Sequence, residues 1–518
     1  MKKRCGCLAV LCLVALISAT SGFILHKSPT EPADFVSIDR PAAIKPDYTG
    51  LTIPPNIAPL NFVIPESGSI YLVKIHSANG TTINVSSKSG KIRIPLKPWR
   101  ALLEANRGGQ LFFDIYVRDN GGRWSRYSRL ENTIAKENID GYIAYRRIEP
   151  VCSYWGQIGI YQRNLENFDE SVIIHGKTFN NECVNCHSFL NNGPESMFVA
   201  VRSKKYGNLA ICVRDGSFEK IATTFGYTAW HPSGRLVAYS FNKVRQFFHT
   251  SGMEIRDVVD LDSTIAYYNP DTRTVKTAAN LSDKNRLETY PAWTPDGKYL
   301  YFCSAPILWE DRNKVPPEHY EQVKYELRRI SYDVETDQWG QPETVLSTDK
   351  TGLSILLPRI SPDGSFLLFC MCKYGCFPVY QPSSDLYLMN LQTGDYRKLA
   401  INSEYSESWH SWSSNSRWIA FSSKRTGGLF TRIYFSYVDE QGKVYKPFIM
   451  PQKDPTFYDS FTETHSVPEL ITGPVKVDYK ALGRAVRSAE CIDVNIPITT
   501  ATPVAGAKES HPWQQQRE

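Results

Sequence analysis

The chain has 518 residues, with 59 Lys and Arg against 53 Asp and Glu, 42% apolar residues and 22% charged ones. That balance belongs to an ordinary folded chain and excludes a disordered one. Three of the excess positive charges are Lys2, Lys3 and Arg4, so the remainder is close to neutral and no nucleic-acid partner is implied.

The first 25 residues read as an export leader: the basic Lys2-Lys3-Arg4 is followed by an apolar run from Leu8 to about Ala19 and then small residues. The apolar stretch is also long enough to stay as a single membrane anchor. The expected location is therefore the periplasm or cell envelope, with the soluble part outside the cytoplasm, either released or held to the inner membrane through the N-terminus. Twelve cysteines are present, of which Cys5, Cys7 and Cys12 fall in the leader. The nine others are an odd number, so at least one is unpaired or committed to other chemistry. Cys372 and Cys376 form either a short disulfide or, together with Cys370, buried strand and loop thiols.

Residues 34–139 alternate apolar and polar positions in short segments, as in 69–75 and 110–117, separated by turns such as Asn79-Gly80 and Asn120-Gly121-Gly122. That pattern predicts a small β-sandwich of immunoglobulin or fibronectin type.

Residues 140–477 contain an internal repeat. Four segments align, from Ala229-Trp230-His231-Pro232-Ser233-Gly234, Ala292-Trp293-Thr294-Pro295-Asp296-Gly297, Arg359-Ile360-Ser361-Pro362-Asp363-Gly364 and Ser411-Trp412-Ser413-Ser414-Asn415-Ser416, each running on into an apolar strand. Proline presets the turn and Asp-Gly or Ser-Gly tolerates its unusual backbone angle. Further short strands follow each pair, which is the four-strand unit of a β-propeller blade. Two more blades are expected, one holding residues 197–201 and 209–213, the other residues 158–163 and 172–174, with its inner half supplied from residues 467–477 to close a six-bladed ring. Residues 478–518 are expected to be a loosely held tail. The predicted class is thus all-β, an N-terminal sandwich followed by a six-bladed propeller. The repeat resembles the TolB-like, WD-like propeller repeat of bacterial envelope proteins, a resemblance that implies architecture and little about function.

One motif carries chemistry. Cys183-Val184-Asn185-Cys186-His187 has the C-x-x-C-H spacing of covalent haem c attachment, in which two thiols add to the vinyl groups of a porphyrin and the adjoining imidazole takes the iron. Cys183 and Cys186 are the candidate thioether donors and His187 the proximal ligand. The other readings are a structural pair, a redox pair, which wants a strand-to-helix junction where Asn191-Asn192-Gly193-Pro194 offers a turn, and zinc, which lacks two further ligands at a recognisable spacing. Aligning the repeats places His187 level with Thr228, Pro291, Pro358 and His410, at the start of the innermost strands and on the rim of the channel. His249, His410 and Met253 are the candidate distal ligands, in that order. His231 lies in a turn on the opposite face and ranks below them.

These segments, with Trp230-His231-Pro232, Gln246-Phe247-Phe248-His249 and Trp409-His410-Ser411-Trp412, resemble a family of exported TolB-like proteins commonly labelled cytochrome c biosynthesis proteins, which implies involvement with c-type haem. The leading expectation is an exported haem c propeller serving electron transfer or haem handling. The alternative is a non-catalytic scaffold that binds a protein or glycan partner in the envelope through a propeller face, with the N-terminal unit as a docking module. Hydrolase motifs such as G-x-S-x-G and H-E-x-x-H do not occur, and the carboxylate pairs Asp260/Asp262 and Glu310/Asp311 read as loop charges. Enzyme activity is not assigned.

Overall fold

The structure is a computed structural model and describes residues 31–149, 157–250, 254 and 256–493. The leader, Met253 and the end of the chain lie outside the described residues. No helix among the described residues is long and apolar enough to cross a membrane.

Six four-stranded units make the propeller, and the repeat dictates their order. Blades two to six follow the chain, with innermost strands Cys183–Phe189, Thr228–Trp230, Arg286–Trp293, Ser354–Ile360 and Glu407–Trp412. The first blade takes Tyr142–Ile148, Gly159–Asn164 and Glu170–His175 from its own stretch of chain and its innermost strand, Thr464–Ile471, from the far end. Pairing of Ile143 with Leu470 and Arg147 with His465 closes the ring between the two ends.

The repeated turns explain themselves locally. Gly234, Gly297 and Gly364 hold φ near +74°, +72° and +75°, and Ser416 stands in the same left-handed region in the sixth blade. At Gly297 a side chain is excluded twice over, because a Cβ there would lie 2.3 Å from His231 Nε2.

The N-terminal unit differs from the expected sandwich. Its main sheet runs Val36–Pro41, Trp124–Ser128, Gln110–Arg118, Ile70–His76, Ile83–Ser87, with Leu130–Ile134 and Thr52–Ile53 joined at Gln110–Arg118. Packed on it are a two-stranded piece, Phe62–Val63 with Lys91–Ile92, and an α-helix, Leu96–Glu104. The helix buries Trp99, Leu102 and Leu103, and the Trp99 ring lies 6.5 Å from Phe113 of the sheet. Pro98 lies in the first turn of this helix, where a missing N–H is cheap.

This unit shares one apolar core with the propeller. Polar ties to the sixth blade reinforce it: Asn61 Nδ2 donates to the carbonyls of Gln452 and Lys453, the Ser414 amide and hydroxyl donate to Asp140, and Lys446 pairs with Asp47 at 2.7 Å.

The predicted loose tail is docked through residue 493. The helix Tyr479–Arg487 buries Leu482 and Val486 against the second blade and its neighbour, and Ile492–Asp493 adds a parallel fifth strand to the second blade.

Candidate functional site

The innermost strands build the centre of the molecule from one repeated irregularity. Pairing registers shift between Val184/His187, Thr289/Ala292, Leu356/Arg359 and Ser408/His410, so each strand bulges at an equivalent point. Tyr290, Leu357, Trp409 and Val467 hold φ of +55°, +56°, +39° and +52° there. Left-handed backbone is unfavourable for such side chains and persists only where surrounding packing over-determines it. Tyr290, Leu357, Trp409 and Val467 line the central cavity from these left-handed positions, joined by Cys186 at the bulge of the second blade and by Tyr227, one residue before the short strand Thr228–Trp230.

Three of these side chains fill the channel. The Tyr227 ring stacks on Tyr290 at 4.0 Å and lies 5.6 Å from Trp409, and Phe377 abuts Trp409 at 5.8 Å. The Tyr290 hydroxyl donates to the Cys376 carbonyl at 2.5 Å, which fastens the plug to a cap. The cap consists of loops between second and third strands. Lys243 of the long hairpin Val237–Phe248/Arg256–Asn269 donates to Asn313, Phe247 packs on Tyr320, and Tyr320 packs on Tyr374. The Tyr374 hydroxyl donates to Asp257, and Lys424 pairs with Glu254.

The space left beside the plug is a cavity of about 30 Å³, room for about one or two waters. His187 lines it, 3% exposed, with no hydrogen-bond partner of ordinary geometry at either ring nitrogen. Burial and the nearby guanidinium groups of Arg146 and Arg359 push its pKa down to about 3, against the weaker opposing pull of the Ala144 and Val467 carbonyls, so the ring is neutral. Arg359 also lines the cavity and pairs with Glu469 at 2.9 Å. Arg146 donates to Asn185 of the motif at 2.6 Å and to Ser466 at 3.1 Å.

The sequence alignment of His187 with Thr228, Pro291 and Pro358 holds in space, since all four line the cavity. Thr228 starts its strand as expected, whereas His187, Pro291 and Pro358 lie within theirs, which begin several residues earlier on the cap side. His410 is level with them and turned away. Its Nε2 lies 3.1 Å from the Leu368 carbonyl and its Nδ1 3.8 Å from Cys370 Sγ, between the fifth and sixth blades. Burial and Arg359 lower its pKa to about 3. His249 belongs to the cap, with Nε2 3.7 Å from Asp257, and does not line the cavity. Met253, the remaining candidate distal ligand, lies outside the described residues. Thus neither His249 nor His410 faces the cavity that His187 lines.

The residues around the motif do not fit a porphyrin in this fold. Cys183 and Cys186 are 7% and 8% exposed, Cys183 packed in the apolar layer between the first two blades and Cys186 in that between the second and third. Burial raises the Cys186 pKa, which keeps its thiol protonated. The cavity they adjoin is too small for a macrocycle, and no group of three or more His, Cys, Asp or Glu side chains able to hold a metal ion occurs among the described residues.

The other cysteines and acids are placed by packing. Cys370 and Cys372 are buried on Phe366–Cys372 and Cys376 is buried in the cap, with Cys372 Sγ directed to the Tyr374 carbonyl and Cys376 Sγ to that of Val258. Asp260 accepts from Asn242 at 3.0 Å, and burial raises its pKa to about 7. Asp262 pairs with Arg312 at 2.8 Å. His231, between Ser233 and the Gly297 carbonyl, fastens the turn of the third blade to that of the fourth. Sequence reasoning missed the aromatic plug, although Tyr227, Tyr290 and Trp409 each sit one residue before a position it had aligned.

No family model matches the chain, and no curated protein does. Solved structures match its strand arrangement at low similarity. Oligogalacturonate lyase from Vibrio parahaemolyticus is 13% identical over 73% of this chain and 100% of its own, with a TM-score of 0.32. A hypothetical selenium-binding protein from Sulfolobus tokodaii is 10% identical over 80% of this chain and 96% of its own, at 0.38. Hydrazine synthase from Kuenenia stuttgartiensis is 11% identical over 50% of this chain and 64% of its own, at 0.29. At these scores nothing about function follows.

Proposed function

We propose that the chain is an exported, non-catalytic binding scaffold of the TolB-like kind, whose capped propeller face receives a protein partner in the cell envelope. One observation carries the reading: the loops between second and third strands all emerge on one face, are knit into a cap over a plugged channel, and expose apolar side chains there. Phe248 is 39% exposed at the hairpin tip, Val315 40% and Leu429 57%, on three different blades. Exposed apolar side chains on three loops of one face, interspersed with charges such as Lys243, Arg245 and Arg312, suit contact with a protein partner. The N-terminal unit, rigidly attached to the sixth blade, serves as a second docking element, and the leader delivers the whole to the envelope.

The competing reading is a haem c propeller, favoured by the C-x-x-C-H spacing and the unpartnered ring of His187. It would require the strand Cys183–Phe189 to leave its packing, so it ranks second. When attached, a haem would supply electron transfer or ligand binding at iron.

The scaffold reading is tested by placing a photo-crosslinking residue at Leu429 or, as a control on the side of the second blade, at Phe218 in cells that express the full chain. A discrete crosslinked species from Leu429, lost on Phe248→Asp and absent from Phe218, is the expected result. Equal crosslinking from both positions, or none from Leu429, would refute it.

A further inference from the structure

Two side chains that line the cavity beside the plug carry hydrogen-bond donors with no partner of ordinary geometry among the described residues. His187 is almost wholly buried, and its neutral ring must still carry one N–H. Trp409, 6% exposed and lining the same cavity, has an indole N–H without an acceptor. Leaving such donors dry costs about 1–3 kcal/mol each, so an acceptor is called for.

The charges nearby say which kind. Arg359 makes one ion pair, with Glu469, and keeps further N–H groups. Arg146 meets only the neutral Asn185 and Ser466, so the two guanidinium groups exceed the one carboxylate by a unit of positive charge. A cation would be repelled there.

We propose that this cavity is a binding site for one small inorganic monovalent anion of halide or nitrate size, held by the indole N–H of Trp409, the imidazole N–H of His187 and the guanidinium of Arg359, at the hub where all six blades meet. Occupancy compensates the excess charge and ties the second, fifth and sixth blades through one ligand. This site is independent of the partner-binding reading of the cap.

The test is thermal unfolding of the full chain in sodium chloride and in sodium gluconate at equal ionic strength, with bromide-soaked crystals alongside. The expected result is a melting temperature that rises and saturates with chloride but not with gluconate, since gluconate is too large for the cavity. Trp409→Phe keeps the ring and removes the donor, and is expected to weaken the apparent chloride affinity on the order of tenfold. Bromide should give an anomalous peak within hydrogen-bond distance of Trp409 Nε1. Equal melting curves in the two salts, or a bromide-soaked crystal with only water in the cavity, would overturn the proposal. Should Trp409→Phe fail to fold, the bromide peak in the wild-type protein decides.

Discussion

The innermost strands of the second and fourth blades occupy equivalent places and solve the same packing problem differently. Where the fourth has Tyr290-Pro291-Ala292-Trp293, the second has Cys186-His187-Ser188-Phe189. Tyr290 and Cys186 both turn into the cavity from a bulge, and Pro291 and His187 follow them. In the fourth blade the inward residue is a large ring that plugs the channel and bonds to the cap. In the second it is a small thiol, and the next residue is a buried polar ring with no hydrogen-bond partner of ordinary geometry among the described residues. The C-x-x-C-H is therefore built into a blade strand that lines the cavity beside the plug.

That contrast can be broken most forcefully from the fourth blade. Tyr290→Ala removes a buried ring and its bond to Cys376, and is expected to cost about 3–5 kcal/mol in urea unfolding, whereas Cys186→Ala deletes one sulfur and should cost about 1–2 kcal/mol. Equal losses would mean that the two positions are not equivalent.

The next effect is one of pH. The folded pKa of His187 lies near 3, below its ordinary value of 6.5, so the unfolded chain binds more protons between those limits and stability falls as pH drops from about 6.5 towards 3. His410 adds a like contribution. Each lost unit is worth about 1.4 kcal/mol per group, and His187→Asn should remove one group's share of the slope measured by urea titration at several pH values. The fourth blade, with proline at this position, makes no such contribution.

Asp260 in the cap gives a slope of opposite sign. Its folded pKa is raised from 3.8 to about 7, so the folded state holds the extra proton in that window and stability declines as pH rises from about 4 to 7. Asp260→Asn should flatten the decline and be the more stable protein at pH 8, by roughly 1–4 kcal/mol. The smallest effect is expected at His231, on the face away from the cap, where His231→Asn loosens the link between two turns and should cost about 1 kcal/mol; because burial lowers the His231 pKa too, it also takes a small share of the acid-side slope and leaves that of Asp260 unchanged.

Much of the propeller was legible because its turns repeat. The repeated turn, Pro-Ser-Gly or Pro-Asp-Gly in three blades and Ser-Asn-Ser in the sixth, located four blades; ring closure from the far end was expected for the whole inner half of the first blade, but only its innermost strand comes from there, and Tyr142–Ile148 supplies the next. The N-terminal helix was not legible, since a nine-residue helix is too short to declare itself by pattern and takes its stability from burying Trp99 against a sheet. Nor was the docked segment 479–493, whose only sequence signal is one apolar stripe. At the site, the alignment brought His187, Thr228, Pro291 and Pro358 to one level. It could not give side-chain direction, because a bulge in all the inner strands but that of the third blade resets the alternation of faces, so His410 points between blades while its neighbour Trp409 faces the cavity. The pairing of Arg359 with Glu469 across the channel joins residues 110 positions apart, beyond the reach of local patterns.

The most direct measurement is the state of Cys183 and Cys186 in protein exported by a host with c-type maturation machinery, read by haem staining of a denaturing gel, a reduced pyridine-haemochrome spectrum and thiol alkylation. The account predicts no covalent haem, and thiols that react with alkylating reagent only after unfolding. A stained band with a c-type spectrum, abolished by Cys186→Ala, would contradict it and place a porphyrin where the second blade now has a packed strand.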